Sequence, residues 1–342
     1  MRVLYVAEIV GKAGIHCVKT LVPKLREEHQ VDLVIANGDG TTGGYGLGKN
    51  HSMYLRKLGV DVITGGDQMF FKKDLAEHID SAYHLLRPAN LPPEMPGRGW
   101  RHYTVRPRDW ESLKELSEAD DPSGDAPDTT SPATATNAAT ATDSEEPQLP
   151  GVQVAVVSLL GQSGYDRIHA ANPYHWLNHT IERLRKKAVA VIVDFHALTT
   201  AEKQTLFHFA DGMVTAIFGS GQRVQTADAQ VMPSGTAVIC DAGRTGSTGG
   251  VHGFKAEPEI KGFMTALPNR SEESWDQLEL QGALLEIDTA SGYVTSFSAL
   301  RVPCEPPKNA GAGAGTGPTA ASPAGSNGSA TGSPQKNPQK PG

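Results

Sequence analysis

The chain has 342 residues, a hydrophobic fraction of 38% and a formal net charge of -7. It is long enough for one large domain or two smaller ones around a substantial core. The acidic balance, with no large Lys/Arg cluster, argues against a nucleic-acid polymer as partner, and no stretch approaches the roughly 18 apolar residues of a membrane span.

Residues 1-7 read as a first strand, with a glycine-containing loop after it and helical spacing over Ile15 to Glu28, where Pro23 predicts a kink or a late start. Leu33 to Ala36 is a short apolar run that fits a buried strand, and the glycine-rich 43-48 segment extends the loop beyond it. A helix over about Asn50 to Leu58 leads to a strand at Val60 to Thr64. A further helix at about Lys72 to Ser81 precedes a short strand near Leu85 and Leu86. The 109-150 segment is acidic at its ends and Ala/Thr-rich between, a composition too poor in apolar surface to offset the entropy of ordering, and is expected to be a disordered insertion.

Strands are expected again at Val152 to Leu159, Ala188 to Phe195, Met213 to Phe218 and Thr236 to Cys240, followed by a glycine-rich loop at 242-253. Helices are expected at Pro173 to Lys187, with Trp176, Ile181 and Leu184 inward, and at Thr200 to Phe209. The basic run Arg183, Arg185, Lys186 and Lys187 reads as the solvated end of the first of these. A hairpin of Leu284 to Ile287 with Tyr293 to Leu300 closes the domain, and 303-342 reads as a disordered Gly/Ala/Pro/Ser-rich tail. Alternating strands and helices indicate an α/β domain with a mostly parallel sheet, assembled from 1-108 and 151-302. The three cysteines, Cys17, Cys240 and Cys304, have no metal-type spacing and an odd count, which fits a reducing compartment. The N-terminus lacks a charged segment followed by an apolar one, so a cytoplasmic location is expected.

The chemistry concentrates where strands end. Glu8, Asp39, Asp67 and His196 each follow an apolar run, and ligands of open α/β sheets bind beyond the C-terminal strand ends. Three carboxylates and one imidazole form a donor set for Mg²⁺, Mn²⁺ or Fe²⁺. Acidic residues after strands also serve as helix N-caps, and a single histidine there is often structural.

The strings V-L-Y-V-A-E-I-V-G-K-A-G, V-I-A-N-G-D-G-T-T-G-G-Y-G, G-V-D-V-I-T-G-G-D-Q, L-L-R-P-A-N-L-P-P-E-M-P-G-R-G-W, V-D-F-H-A-L-T-T-A-E-K and V-Q-T-A-D-A-Q-V-M-P-S-G-T-A-V-I-C-D-A-G-R-T-G, in this order, resemble the bacterial YmdB-like metallophosphoesterases. The resemblance covers about 1-106 and 151-302. It implies a calcineurin-like four-layer α/β sandwich, a dimetal phosphodiesterase acting on cyclic nucleotides or other small phosphoesters, a cytoplasmic location and a homo-oligomer.

At the family's metal positions this sequence differs. Glu8 stands for an Asp and Asp39 for a bridging Glu, each keeping its charge with a changed reach. Gly40 stands for a phosphate-contacting Asn, and Asp67 for an Asn ligand. Gln68 stands for the proton-donating His, and Leu198 for a Glu after His196. Gly221 and Arg223 replace two metal-binding histidines. The resemblance therefore leaves metal ligation to Glu8, Asp39, Asp67 and His196, puts Gly40 and Arg223 at a phosphate, and makes Gly221 a lost metal position. Gln68 cannot protonate a leaving group, and Arg223 brings a fixed positive charge able to pair with Glu8, Asp39 or Asp67. Divalent metal is expected to be partly retained at most and catalysis impaired or absent. The alternative is a non-catalytic nucleotide- or phosphate-binding module, or an interaction scaffold, on the same fold.

Overall fold

A computed structural model describes residues 1–107, 151–165 and 168–307; the expected insertion over 109-150 and the tail from 308 lie outside them. Two sheets carry the fold. In the first, β1 (Arg2–Val6), β3 (Leu33–Asn37), β4 (Val62–Thr64) and β5 (Leu85–Leu86) run parallel. On the other side of β1 come β13 (Leu278–Ile287) and β12 (Arg244–Ser247), both antiparallel to a neighbour, then the short β2 (Glu8–Ile9). β14 (Val294–Cys304) pairs along the length of β13. In the second sheet β7 (Val152–Leu160), β8 (Ala190–His196), β9 (Ala216–Ser220) and β11 (Ala237–Ile239) are parallel. Antiparallel β6 (Trp100–Val105) and β10 (Gln230–Val231) form its edges.

Strand alternation sorts the core into layers. On β1, Val3 and Tyr5 face the second sheet while Leu4 and Val6 pack with α1 (Gly11–Glu28), because successive side chains point to opposite faces. The ring of Tyr5 stacks on Phe218 of β9 at 4.3 Å, which joins the two sheets. The far face of the first sheet is covered by α1 and α2 (Lys49–Lys57), and that of the second by α4 (Pro173–Arg185) and α5 (Thr200–Ala210). The result is the four-layer α/β sandwich with sheets back to back. Among the described residues no helix is long and apolar enough to cross a membrane.

Several elements differ from expectation. α1 starts before Ile15 and carries Pro23 within it. Pro23 lies on the solvent face, where water can satisfy the carbonyl that its missing N–H leaves free. The helix expected over 72–81 is reduced to the single turn of α3 (Lys73–Ala76) and a separate 3₁₀ turn at Ile79–Ser81. Tertiary hydrogen bonds explain the break, since Asp74 accepts from the Lys49 N–H and Asp80 from the Gly97 N–H. β12 lies inside the glycine-rich 242-253 segment, and α6 (Ala256–Thr265), with no buried residue, follows it. In α4 the buried positions are Pro173, Leu177, Ile181 and Leu184, and Trp176 is only half-buried. The closing hairpin is longer than expected, and β14 continues to Cys304.

Candidate functional site

Parity places the polar groups. On β8, Ala190 and Ile192 face the inter-sheet layer while Val191, Val193 and Phe195 face the helices. A period of two therefore turns Asp194 and His196 toward the first sheet. The same period turns Ser220, after Ala216 and Phe218, toward the first sheet, and Asn37, after Leu33 and Ile35, and Thr64, after Val62, toward the second. Strands of both sheets thus deliver polar side chains to one end of a single layer.

Those side chains form a connected scaffold. Asp194 accepts from Asn37 Nδ2 at 2.9 Å and Ser220 Oγ at 2.7 Å, and from the Thr64 hydroxyl. Asn37 Oδ1 accepts the Asp39 N–H at 3.0 Å, which turns the chain out of β3. Asp39, fully buried, accepts the Gly66 N–H at 2.6 Å on Oδ1 and the Gln68 N–H at 3.0 Å on Oδ2. His196 Nδ1 lies 3.1 Å from Ser220 Oγ, whose hydrogen is committed to Asp194, so Nδ1 donates. Its Nε2 points to Asp67 Oδ1 at 2.9 Å, with Asp39 Oδ2 at 3.9 Å. The Gly66 backbone lies so close that a Cβ there would sit 2.5 Å from the His196 ring.

Asp39, Asp67 and His196 each present a ligand atom, all within 4.8 Å of one another. Burial pushes the Asp39 carboxyl above the usual range, with Asp67 and Glu8 adding to the shift and the His196 charge opposing it. Burial also disfavours charge on His196 and Asp67, but their hydrogen bond and mutual attraction prevail. The imidazole is raised and Asp67 is held low. A proton on Nε2 thus occupies the position between two carboxylates where a cation fits.

Glu8 lies in a separate ion pair. Its Oε1 accepts from Arg223 Nε at 2.9 Å, with Nη2 at 2.7 Å, and both residues are buried. Arg223 adopts φ +57° and also donates from Nη2 to the Gly44 carbonyl at 3.0 Å. Burial works against its charge, and the Glu8 carboxylate more than compensates. A Cβ on Gly40 would lie 2.9 Å from Arg223 Nη2 and 3.0 Å from Glu8 Oε1, so the pair fills the space beside this loop. Glu8 Oε2 is buried and without a hydrogen-bond partner. Gly221, at φ +104°, passes His196 so that a Cβ would lie 3.2 Å from Nε2. Gln68 contributes its backbone N–H to Asp39, while its side-chain Oε1 is buried without a partner.

The sequence assigns no site role to the supporting residues Asn37, Thr64, Asp194 and Ser220, although their position on the inward parity of apolar strands is a signal for them. A buried pair, Lys203 Nζ to Asp241 Oδ2 at 2.9 Å, was equally hidden. Asp241 also accepts the Gln222 N–H at 2.9 Å and so fixes the loop between Gly221 and Arg223. The T-x-x-E box at Thr199 marks the start of α5 but not the inward turn of Lys203. Tyr165 is the third addition: its buried hydroxyl has no partner, and burial with the nearby Asp67, Asp39 and Glu8 charges raises its pKa.

Comparison with known proteins agrees with this architecture. The model of the family described as YmdB-like protein matches residues 4–113 and 127–300. A 2',3'-cyclic-nucleotide 2'-phosphodiesterase of Bacillus subtilis (strain 168) is 30% identical over 288 residues, spanning 84% of this chain and 92% of its own. A crystal structure described as a novel phosphatase of Mycoplasma pneumoniae superposes with a TM-score of 0.71 at 28% identity, covering 89% of this chain and 93% of that one. A hypothetical protein from Thermus thermophilus shares the fold, with a TM-score of 0.70 at 24% identity over 89% of this chain and 99% of its own.

Proposed function

The chain belongs to the YmdB-like protein family, and on that premise we propose that it binds small phosphodiesters, cyclic nucleotides among them, at a one-metal site and hydrolyses them slowly. The observation that carries this reading is the division of the acidic end into two parts. Asp39, Asp67 and His196 converge on one point, while Arg223 neutralises Glu8 at another.

The first part suits a divalent ion. Two carboxylates and an imidazole are the donors that Mg²⁺, Mn²⁺ or Fe²⁺ accept, and their ligand atoms lie within 4.8 Å of one another. Bound there, such an ion supplies a polarised phosphoryl oxygen and a water of lowered pKa. The protein's own groups supply the geometry. The Gly66 and Gln68 N–H groups fix both oxygens of Asp39, and the Asp194–Ser220 relay aims His196 Nε2. Arg223, held by Glu8 beside the Gly40 loop, offsets one of the carboxylate charges that would otherwise oppose an anionic substrate.

The proton donor is the weak part. Gln68 carries no transferable proton, and loss of a general acid costs about 10²- to 10⁴-fold in rate. Three free cysteines support a reducing, cytoplasmic setting. The test is metal content by mass spectrometry, with hydrolysis of bis-p-nitrophenyl phosphate in Mn²⁺ on the same sample. The expected result is about one ion per chain, half of a two-metal complement, and slow turnover. Two ions with rapid turnover would overturn the reading, as would no ion. The latter outcome would support a pure binding module.

A further inference from the structure

A basic concavity lies apart from the acidic cluster. A cavity of about 790 Å³ opens along β6, the edge strand of the second sheet, between the loop after β5 and the C-terminal end of α4. Arg87, Arg98, Arg101, Arg183, Lys186 and Lys187 line it, and no Asp or Glu does. None of these six forms an ion pair among the described residues. Six like charges around one concavity repel one another, an arrangement that an anionic ligand relieves.

The cations are positioned rather than loose. Arg101 stacks over Tyr83 and Arg183 over Trp100, each 4.8 Å from the ring centroid. These contacts orient the guanidiniums without neutralising them. Arg87 is 5% exposed and held by the carbonyls of Pro88, Pro92 and Met95, while its Nε and that of Arg101 are buried with no partner. Trp176 packs partly buried against the core beneath α4 and also lines this cavity, with no ring or cation stacked on it among the described residues. A volume in the range of small-molecule sites, an indole in the cavity wall and a set of cations without ion pairs together suit a ligand that is aromatic at one end and multiply anionic at the other.

We propose that this cavity binds a nucleoside polyphosphate, its base against Trp176 and its phosphates across Arg183, Lys186 and Lys187. It shares no lining residue with the Asp39–Asp67–His196 cluster, so it is a second ligand site. The basic end of α4, which composition alone assigns to solvent, becomes its phosphate-binding side.

The experiment is calorimetric titration of the full chain in EDTA, which excludes metal-bridged binding at the acidic cluster, with ATP, adenosine and inorganic tripolyphosphate as separate probes. ATP is expected to bind at least about 10-fold more tightly than either fragment, the gain of one base–aromatic stack. Trp176→Ala should remove that gain and Trp176→Phe should keep it, with metal content and bis-p-nitrophenyl phosphate hydrolysis unchanged in both. Lys186→Ala combined with Lys187→Ala should weaken ATP and tripolyphosphate alike. Equal affinity for ATP and tripolyphosphate would overturn the proposal, because the site would then read charge alone. So would the absence of saturable ATP binding, or indifference to the lysine changes.

Discussion

Replacing Arg223 with methionine removes the charge while keeping most of the apolar stem, and so isolates what the guanidinium does. In the native chain Arg223 is 5% exposed and Glu8 1%, with the Nε contact at 2.9 Å. Without its partner Glu8 becomes a buried carboxylate with no counter-charge, a loss of about 3–5 kcal/mol. At roughly 2–4 °C per kcal/mol for a domain of this size, the melting temperature in EDTA should fall by about 6–20 °C. The same vacancy creates a cation site, since Glu8 Oε2 already lacks a partner. Mn²⁺ at 100 times its dissociation constant should therefore return about 2.7 kcal/mol, and metal content should rise by about one ion per chain. Thermal unfolding followed by circular dichroism, with and without Mn²⁺, reads both effects. A variant that melts with the parent in EDTA would refute the reasoning, because Arg223 would then not be neutralising a buried charge.

Asp39→Asn should abolish metal uptake and lower any hydrolysis by at least about 10²-fold, measured on the same preparation by mass spectrometry and with bis-p-nitrophenyl phosphate. Gly66→Ala places a Cβ against the His196 ring, 2.5 Å away, and should cost about 1–3 kcal/mol in urea unfolding while reducing metal content. Lys203→Met leaves the fully buried Asp241 unpaired and should destabilise by about 3–5 kcal/mol, most of it recovered when Asp241→Asn is added. Burial, then Arg56 and His78, lower His84 from the usual 6.5 to about 4. Between these values the unfolded chain binds the extra proton, so stability falls as pH drops through this window. His84→Gln should flatten that dependence in urea midpoints measured across it.

The carboxylates were legible in the sequence because each directly follows an apolar run, and the strand alternation around Ile35 and Ile192 predicts which face their neighbours share. Pairing across long separations was not legible. Glu8 and Arg223 are 215 positions apart, and only the assembled sheets decide that the guanidinium meets Glu8 rather than Asp39 or Asp67. β12 escaped notice because R-T-G-S has no apolar residue, its burial coming from pairing with β2 and β13. The helix expected near 72–81 failed for the opposite reason: local propensity was adequate, but Asp74 and Asp80 were drawn into contacts with distant backbone.

The edge hairpin of β6 and β7 has a consequence for how this chain tolerates change. Val105 and Val152 are cross-strand partners, so the polypeptide leaves and re-enters the fold at points about 5 Å apart. A connection made there has only that gap to span, and each doubling of a flexible connection costs only about 0.6 kcal/mol. Length at that junction is therefore almost invisible to the sheets. A foreign domain with neighbouring termini could be grafted there, or most of the native segment excised, without moving a strand that carries the acidic cluster.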